Sequence, residues 1–241
     1  MRAFILAAGL GTRLKPLTDN IPKALIKIKD KTLLEIIINK LTKSGFDKII
    51  INVHHFADQI IDFIEHKNFE AEISISNEKE KLLDTGGGLK NAAWFFDDGK
   101  PFLVHNVDIL SDMDLSKLYN YHLQNKPLAT LAIQKRKTSR YLLFTDDNIL
   151  CGWMSEKTGE QIISNKIKHY NEFAFSGIHI IDPKIFSLMP GKKVFSIIDL
   201  YLSLMERHQI IGYIDNKSFW IDAGKFENIK IAEENYEIFN I

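Results

Sequence analysis

Apolar side chains fill positions 4–8 and 49–51 without a polar break, and Asn52-Val53 extend the second run. Runs of that length, apolar on both faces, predict strands buried on both sides. Between them Leu33, Leu34, Ile36, Ile37, Ile38 and Leu41 recur at helical spacing, and Ser44-Gly45 supplies the stop. Phe56, Ile60, Ile61 and Ile64 predict a second helix, after which Ala71-Glu72-Ile73-Ser74-Ile75-Ser76 alternates with the period of a strand. Strand, helix, strand, helix, strand predicts an α/β, Rossmann-like sheet, mixed but mainly parallel, with helices on both faces. In such sheets ligands sit beyond the carboxyl ends of the strands.

Further along, the pattern predicts a helix over 89–96 behind a glycine run, strands over 101–105 and 128–133, and a helix over 115–123. A hairpin is predicted from 141–144 and 149–153 around Asp146-Asp147-Asn148, and a strand over 172–181 carries Gly177 inside it. A helix over 197–207, a strand over 210–214, a short aromatic strand at Phe219-Trp220-Ile221 and a helix over 226–239 complete the chain. With 241 residues this is most simply one domain spanning 1–241.

Composition narrows the choice of partners. Lys plus Arg and Asp plus Glu both number 31, so there is no global field to draw in nucleic acid or an anionic membrane, and any anionic substrate must be held by local cations. The single cysteine, Cys151, excludes an internal disulfide framework and fits a reducing compartment. The apolar start is short, is broken by glycine and runs into Arg13 and Lys15, so it reads as a strand instead of a secretory signal. No apolar run approaches the roughly 20 residues of a membrane span. A cytoplasmic protein, monomer or homodimer, is expected.

The richest chemistry lies after the first strand, in Gly9-Leu10-Gly11-Thr12-Arg13-Leu14-Lys15-Pro16-Leu17-Thr18, with Pro22-Lys23 behind it. Two glycines clear side chains from a turn whose N–H groups can meet an anion. Arg13 adds a planar fork of donors and Lys23 a compact charge, so a triphosphate would meet amides and two cations together. The third glycine of the dinucleotide fingerprint is missing, Leu14 standing in its place, which argues against a dinucleotide. Eight histidines raise the possibility of a metalloenzyme, but His54-His55 point to different sides of an extended chain and no His-Glu-x-x-His or Cys-x-x-Cys spacing occurs.

The longer pattern, Leu-Ala-Ala-Gly-x-Gly-Thr-Arg-Leu-x-Pro-Leu-Thr followed by Pro-Lys-Ala-Leu, resembles the signature of the sugar-1-phosphate nucleotidyltransferases. Within that family the Thr85-Gly86-Gly87-Gly88 run, the Phe175-Ser176-Gly177-Ile178 segment and the short length most resemble the N-acetylmuramate α-1-phosphate uridylyltransferase group. The resemblance implies the family's GT-A-like architecture, with nucleotide binding over about 1–110 and sugar binding over about 111–241. It implies nucleotide contacts from Gly9, Gly11, Thr12, Arg13, Lys23, Asp84, Gly86 and Gly87, and sugar contacts from Asn106, Glu172, Ser176 and Gly177.

Asp108, at the end of a predicted strand, is placed to hold Mg²⁺, although an isolated aspartate there is more often a turn or cap residue; Asp112 and Asp114 suit the cap ahead of the next helix. Asp222 by itself reads as a helix cap. The resemblance assigns both Asp108 and Asp222 to one Mg²⁺ site, with Val107 replacing a glycine common in relatives. The basic run Lys135-Arg136-Lys137 with Arg140 reads as solvated surface ahead of the alternative, a sugar-phosphate contact. At Ser139-Arg140-Tyr141 the chain lacks the acidic sugar contact of the muramic-acid enzymes, leaving the sugar open.

The reaction implied is attack of a sugar 1-phosphate oxygen on the α-phosphorus of an NTP, UTP favoured, with loss of pyrophosphate. Arg13 and Lys23 would carry the catalytic charge, and no general base is needed for a nucleophile already ionised. The alternatives are a guanylyltransferase for mannose- or heptose-1-phosphate and a non-catalytic nucleotide-sugar sensor. Without hexapeptide repeats after Asp222, a bare catalytic module is expected.

Overall fold

The computed structural model describes residues 1–78 and 80–239. Its strands are β1 (Arg2–Leu6), β2 (Lys27–Ile28), β3 (Lys31–Thr32), β4 (Lys48–Val53), β5 (Glu72–Asn77), β6 (Phe102–Asn106), β7 (Ile109–Ser111), β8 (Ala129–Gln134), β9 (Arg140–Phe144), β10 (Leu150–Ser155), β11 (Gln161–Ile163), β12 (Asn171–Ile181), β13 (Ile210–Ile214) and β14 (Trp220–Asp222). The helices are α1 (Leu33–Lys43), α2 (Ala57–Glu65), α3 (Asp84–Asn91), α4 (Leu115–Asn125), α5 (Ile197–Leu204), α6 (Phe226–Glu234) and α7 (Tyr236–Phe239).

One mixed sheet organises the molecule. Its parallel heart is β5-β4-β1-β6, and β12 then joins β6 antiparallel, carrying β9, β10 and β11 on one part of its length and β8 with β13 on another. Eleven residues long, β12 reaches both groups because its register slips between Phe175 and His179, around Gly177 at φ 74°.

The apolar runs at 4–8 and 49–53 are explained by burial on both sides. Ala3, Ile5, Ile49 and Ile51 face a core shared with α1 and α4, whereas Phe4 and Ile50 face a second core shared with α3 and α5. α1 is capped at its start, where Thr32 Oγ1 accepts from the Glu35 amide at 3.1 Å, and Gly45 takes φ 85° just past the end. Asp114 caps α4 through the Lys117 amide at 3.0 Å, as expected.

Several elements differ from the sequence pattern. α3 starts at Asp84 and takes the three glycines into its own turns, earlier than predicted; a helix break at Asn235 divides the last helix; β7 and β11, three residues each, are too short to show a period. No helix among the described residues is long and apolar enough to cross a membrane.

Candidate active site

The small ladder β7-β14 creates the site. It is antiparallel and sets Asp222 opposite Ile109, the residue after Asp108; the Ala223 amide then donates to the Asp108 carbonyl at 2.8 Å. Two aspartates far apart in sequence thus stand side by side where β6 ends. Arg13 Nη1 donates to Asp222 Oδ2 at 2.9 Å, and Nη2 of the same guanidinium lies 3.6 Å from Asp108 Oδ2. Lys23 Nζ donates to Asp108 Oδ2 from the opposite end of the glycine turn. Asp108, Asp222 and Lys23 are largely covered, whereas Arg13 keeps 54% of its side chain exposed and forms the solvent side of the cluster.

Burial pushes the Asp222 carboxyl upward, but the Arg13 hydrogen bond and charge, with contacts from Asp108 and the Gly224 amide, outweigh it and hold the group below the usual carboxylate range. Asp222 does not cap the helix that follows: α6 starts beyond it from Lys225, and Asp222 accepts Asn228 Nδ2 only through its carbonyl, at 2.8 Å. Val107 turns into the core at 2% exposure, so its methyl groups do not stand in the site.

The glycine turn folds over this pair. Gly11 adopts φ 66°, and Thr18 Oγ1 ties its carbonyl at 2.9 Å; a Cβ at Gly11 would lie 2.8 Å from Thr18 Cγ2. Gly9 has open space where a Cβ would project, and Thr12 is exposed at the start of the 3₁₀ turn Thr12–Leu14. The pattern of the chain did not reveal what steadies this loop. Asn52 Oδ1 accepts the Ala7 and Ala8 amides at 2.7 and 3.3 Å, and Asn52 Nδ2 donates to Glu78 Oε1 at 2.7 Å. Glu78 Oε2 accepts the Leu83 amide at 3.0 Å, so one buried chain of bonds joins the turn after β1 to the loop before α3. Burial raises the Glu78 carboxyl against the opposing bond from Asn52. The available signal was Asn52 itself, a lone amide in the run 49–53.

The remaining candidates fall into separate places. Gly87 lines a groove of about 610 Å³ with Asn77, Glu78, Leu83, Lys90 and Lys193. Gly86 faces the protein: its amide donates to the Phe195 carbonyl at 2.9 Å, and a Cβ there would lie 2.4 Å from the Phe195 ring. A Cβ at Gly87 would meet the Lys193 carbonyl at 2.2 Å, so close approach here is made by the segment before α5. Asp84 is exposed at φ 62° and accepts the Thr85 amide at 2.6 Å.

Asn106 ends β6 next to the aspartates, and its Nδ2 would lie 2.9 Å from a Cβ at Gly177, which places both on the same wall. Ser176 is wholly buried with an unpartnered Oγ, and its carbonyl accepts Trp220 Nε1 at 2.9 Å, a framework position. Glu172 is exposed four residues earlier on β12, opposite Leu143, and makes no contact with the cluster.

The sequence profile of the family described as Nucleotidyl transferase matches residues 2–238, and the chain belongs to that family. A UTP--glucose-1-phosphate uridylyltransferase of Synechocystis is 32% identical over 93% of this chain and 60% of its own length. An N-acetylmuramate alpha-1-phosphate uridylyltransferase of Neisseria meningitidis is 27% identical over 97% of both chains, and one from Caulobacter vibrioides is 39% identical over 44% of this chain and 45% of its own. The chain therefore spans about three fifths of the length of the Synechocystis relative, and the Caulobacter match covers less than half of either chain. Among solved structures, HddC from Yersinia pseudotuberculosis complexed with GMP-PN superposes with a TM-score of 0.77 at 25% identity, covering 98% of this chain and 99% of that one. The fold is that of the GT-A-like nucleotidyltransferases.

Proposed function

We propose that this chain transfers a nucleoside monophosphate from UTP to a sugar 1-phosphate, giving a nucleoside diphosphate sugar and pyrophosphate. The observation that carries the reading is the meeting of Asp108 and Asp222 beneath Arg13 and Lys23 at the mouth of an open glycine turn. The choice of UTP follows the uridylyltransferase from Neisseria, which matches this chain end to end.

Two carboxylates are a donor set suited to Mg²⁺, a hard cation that takes few protein oxygens and completes its shell with water and phosphate. No cluster of three or more His, Cys, Asp or Glu suited to a metal occurs among the described residues. Asp108 and Asp222 would hold the ion, which would supply neutralisation of phosphate charge.

The protein's own groups align two anions and offset their repulsion. Arg13, on the solvent side, holds the departing pyrophosphate with the turn amides; Lys23, deeper, offsets charge growing on the α-phosphate. The nucleophile is already ionised at neutral pH, so no side chain need take a proton. Positioning therefore dominates the rate.

Pyrophosphate release with UTP, GTP, CTP and dTTP against glucose, mannose, heptose and N-acetylmuramic acid 1-phosphates tests the reading. UTP with one of these sugars is expected to turn over, and Asp108→Asn and Asp222→Asn to lose about 10²–10³ in kcat. Turnover with GTP alone makes the chain a guanylyltransferase. A wild-type protein that binds nucleotide and releases no pyrophosphate with any pair refutes catalysis and leaves a sensor.

A further inference from the structure

The basic run at 135–137 does not behave as one solvated patch. Lys135 and Lys137 are exposed, whereas Arg136, in the turn leaving β8, folds inward and is half-buried. Its guanidinium carbon lies 3.6 Å from the centre of the Trp220 ring, and Nη2 donates to the Phe175 carbonyl at 2.8 Å. That is its only hydrogen bond among the described residues, one of five N–H donors, and Nε is buried without a partner. Burial lowers the pKa of Arg136 and the Asp222 carboxylate opposes the fall, so the two charges are within electrostatic reach.

The location follows from β14. Side chains two apart on a strand share a face, so Trp220 and Asp222 point to the same side, and the cation stacked on Trp220 lies along that face from the metal-suited pair. Trp220 is itself fixed by its indole bond to the Ser176 carbonyl, beside Gly177 and Asn106. Stacking holds the guanidinium in a plane with little rotamer freedom, a good arrangement for a planar, two-oxygen contact.

Charge balance says what Arg136 is for. Arg13 and Lys23 are matched by Asp108 and Asp222, so the cluster is neutral before substrates enter. A phosphate monoester brings about −1.5 to −2 near neutral pH, and a triphosphate brings more. Arg136 is the further cation beside the pair with donors to offer. Resting on the function proposed above, we infer that Arg136 holds the phosphate of the incoming sugar 1-phosphate, on the Trp220 side of Asp222, and sets the attacking oxygen in line with the α-phosphorus. It is a binding residue for the acceptor and not for the nucleotide.

The test uses the wild-type protein, Arg136→Gln and Arg136→Lys with the nucleotide and sugar 1-phosphate pair that the wild type turns over fastest in the panel above. Arg136→Gln is expected to raise KM for the sugar 1-phosphate about 10–100-fold, the scale for losing a charge-assisted contact, and to leave KM for the nucleotide within about threefold. Arg136→Lys, keeping the charge without the fork or the stack, is expected to fall between the two. The proposal is overturned if the sugar 1-phosphate KM of Arg136→Gln matches wild type, or if both KM values rise together with a lowered Tm, the pattern of a purely structural stack. A wild type silent with every pair overturns both this inference and the function on which it rests.

Discussion

Gly224→Ala separates function from stability. Gly224 sits just past Asp222, where its amide donates to Asp222 Oδ1 at 2.9 Å. A Cβ at this position would lie 2.5 Å from Asp108 Oδ2, 2.8 Å from Asp222 Oδ1 and 2.9 Å from Arg13 Nη2. Ordinary carbon contacts begin near 3.4 Å, so each of the three groups must retreat by about 0.5–1 Å. All three are side-chain ends, not backbone, and the Gly224 backbone is outside the left-handed region, so the strain is relieved by moving them. The added methyl also narrows the unfolded ensemble by about 0.4–1 kcal/mol, which offsets much of the cost. Stability should therefore change by less than about 1 kcal/mol. Activity should not be spared, because under the function proposed above the groups that retreat are the ones that align the reactants, and a shift of about 1 Å costs on the order of 10² in rate. The assay pairs initial rates of pyrophosphate release with thermal unfolding, using Gly191→Ala, where a Cβ meets nothing within 4 Å, as the control. A Gly224→Ala protein with kcat within about threefold of wild type would show that the spacing of the two carboxylates does not govern the reaction.

Other consequences are open to measurement. Gly86→Ala drives a methyl into the Phe195 ring at 2.4 Å and should destabilise the fold by about 1–3 kcal/mol, seen as a lower midpoint in urea; an unchanged midpoint would mean that the segment before α5 moves freely. Asn52→Ala strips partners from the Ala7 and Ala8 amides and from the buried Glu78 carboxyl; a loss of about 2–3 kcal/mol and a raised nucleotide KM are expected, and a normal KM would uncouple the two loops. Acid should destabilise the protein well before its carboxylates are all protonated. His105 and His179 are buried, and burial depresses each to about 3, so between pH 6.5 and 3 the unfolded chain binds protons that the fold refuses and stability rises with pH. By pH 4 this amounts to as much as about 3 kcal/mol for each. Asp222 acts in the same direction, whereas Glu78, with its raised carboxyl, acts against it. His105→Gln should flatten the acid limb of a Tm-against-pH profile, and an unaltered limb would refute the assignment.

Much of this was legible in the chain because burial on two faces leaves an unmistakable run of apolar residues, as at 4–8 and 49–53, and because the glycine turn concentrates its chemistry in fifteen positions with no long-range requirement. What could not be read is what depends on pairing at a distance. β7 and β14 are each three residues long, and nothing local says that Ile109 will lie opposite Asp222. The roles of Gly86 and Gly87 were obscure for a related reason: a glycine cleared for close approach does not declare whether a ligand or the 193–195 segment approaches it. Arg136 was hidden among Lys135, Lys137 and Arg140, since composition cannot show which of four cations a tryptophan from residue 220 will capture.

The β7-β14 ladder also makes the cluster a reporter of folding. Asp108 and Asp222 are far apart in sequence, and the pairing of two three-residue strands is what sets them side by side. A chain in which β14 has not docked keeps the glycine turn but lacks the second carboxylate, so under the function proposed above the onset of pyrophosphate release during refolding would time the docking of that strand.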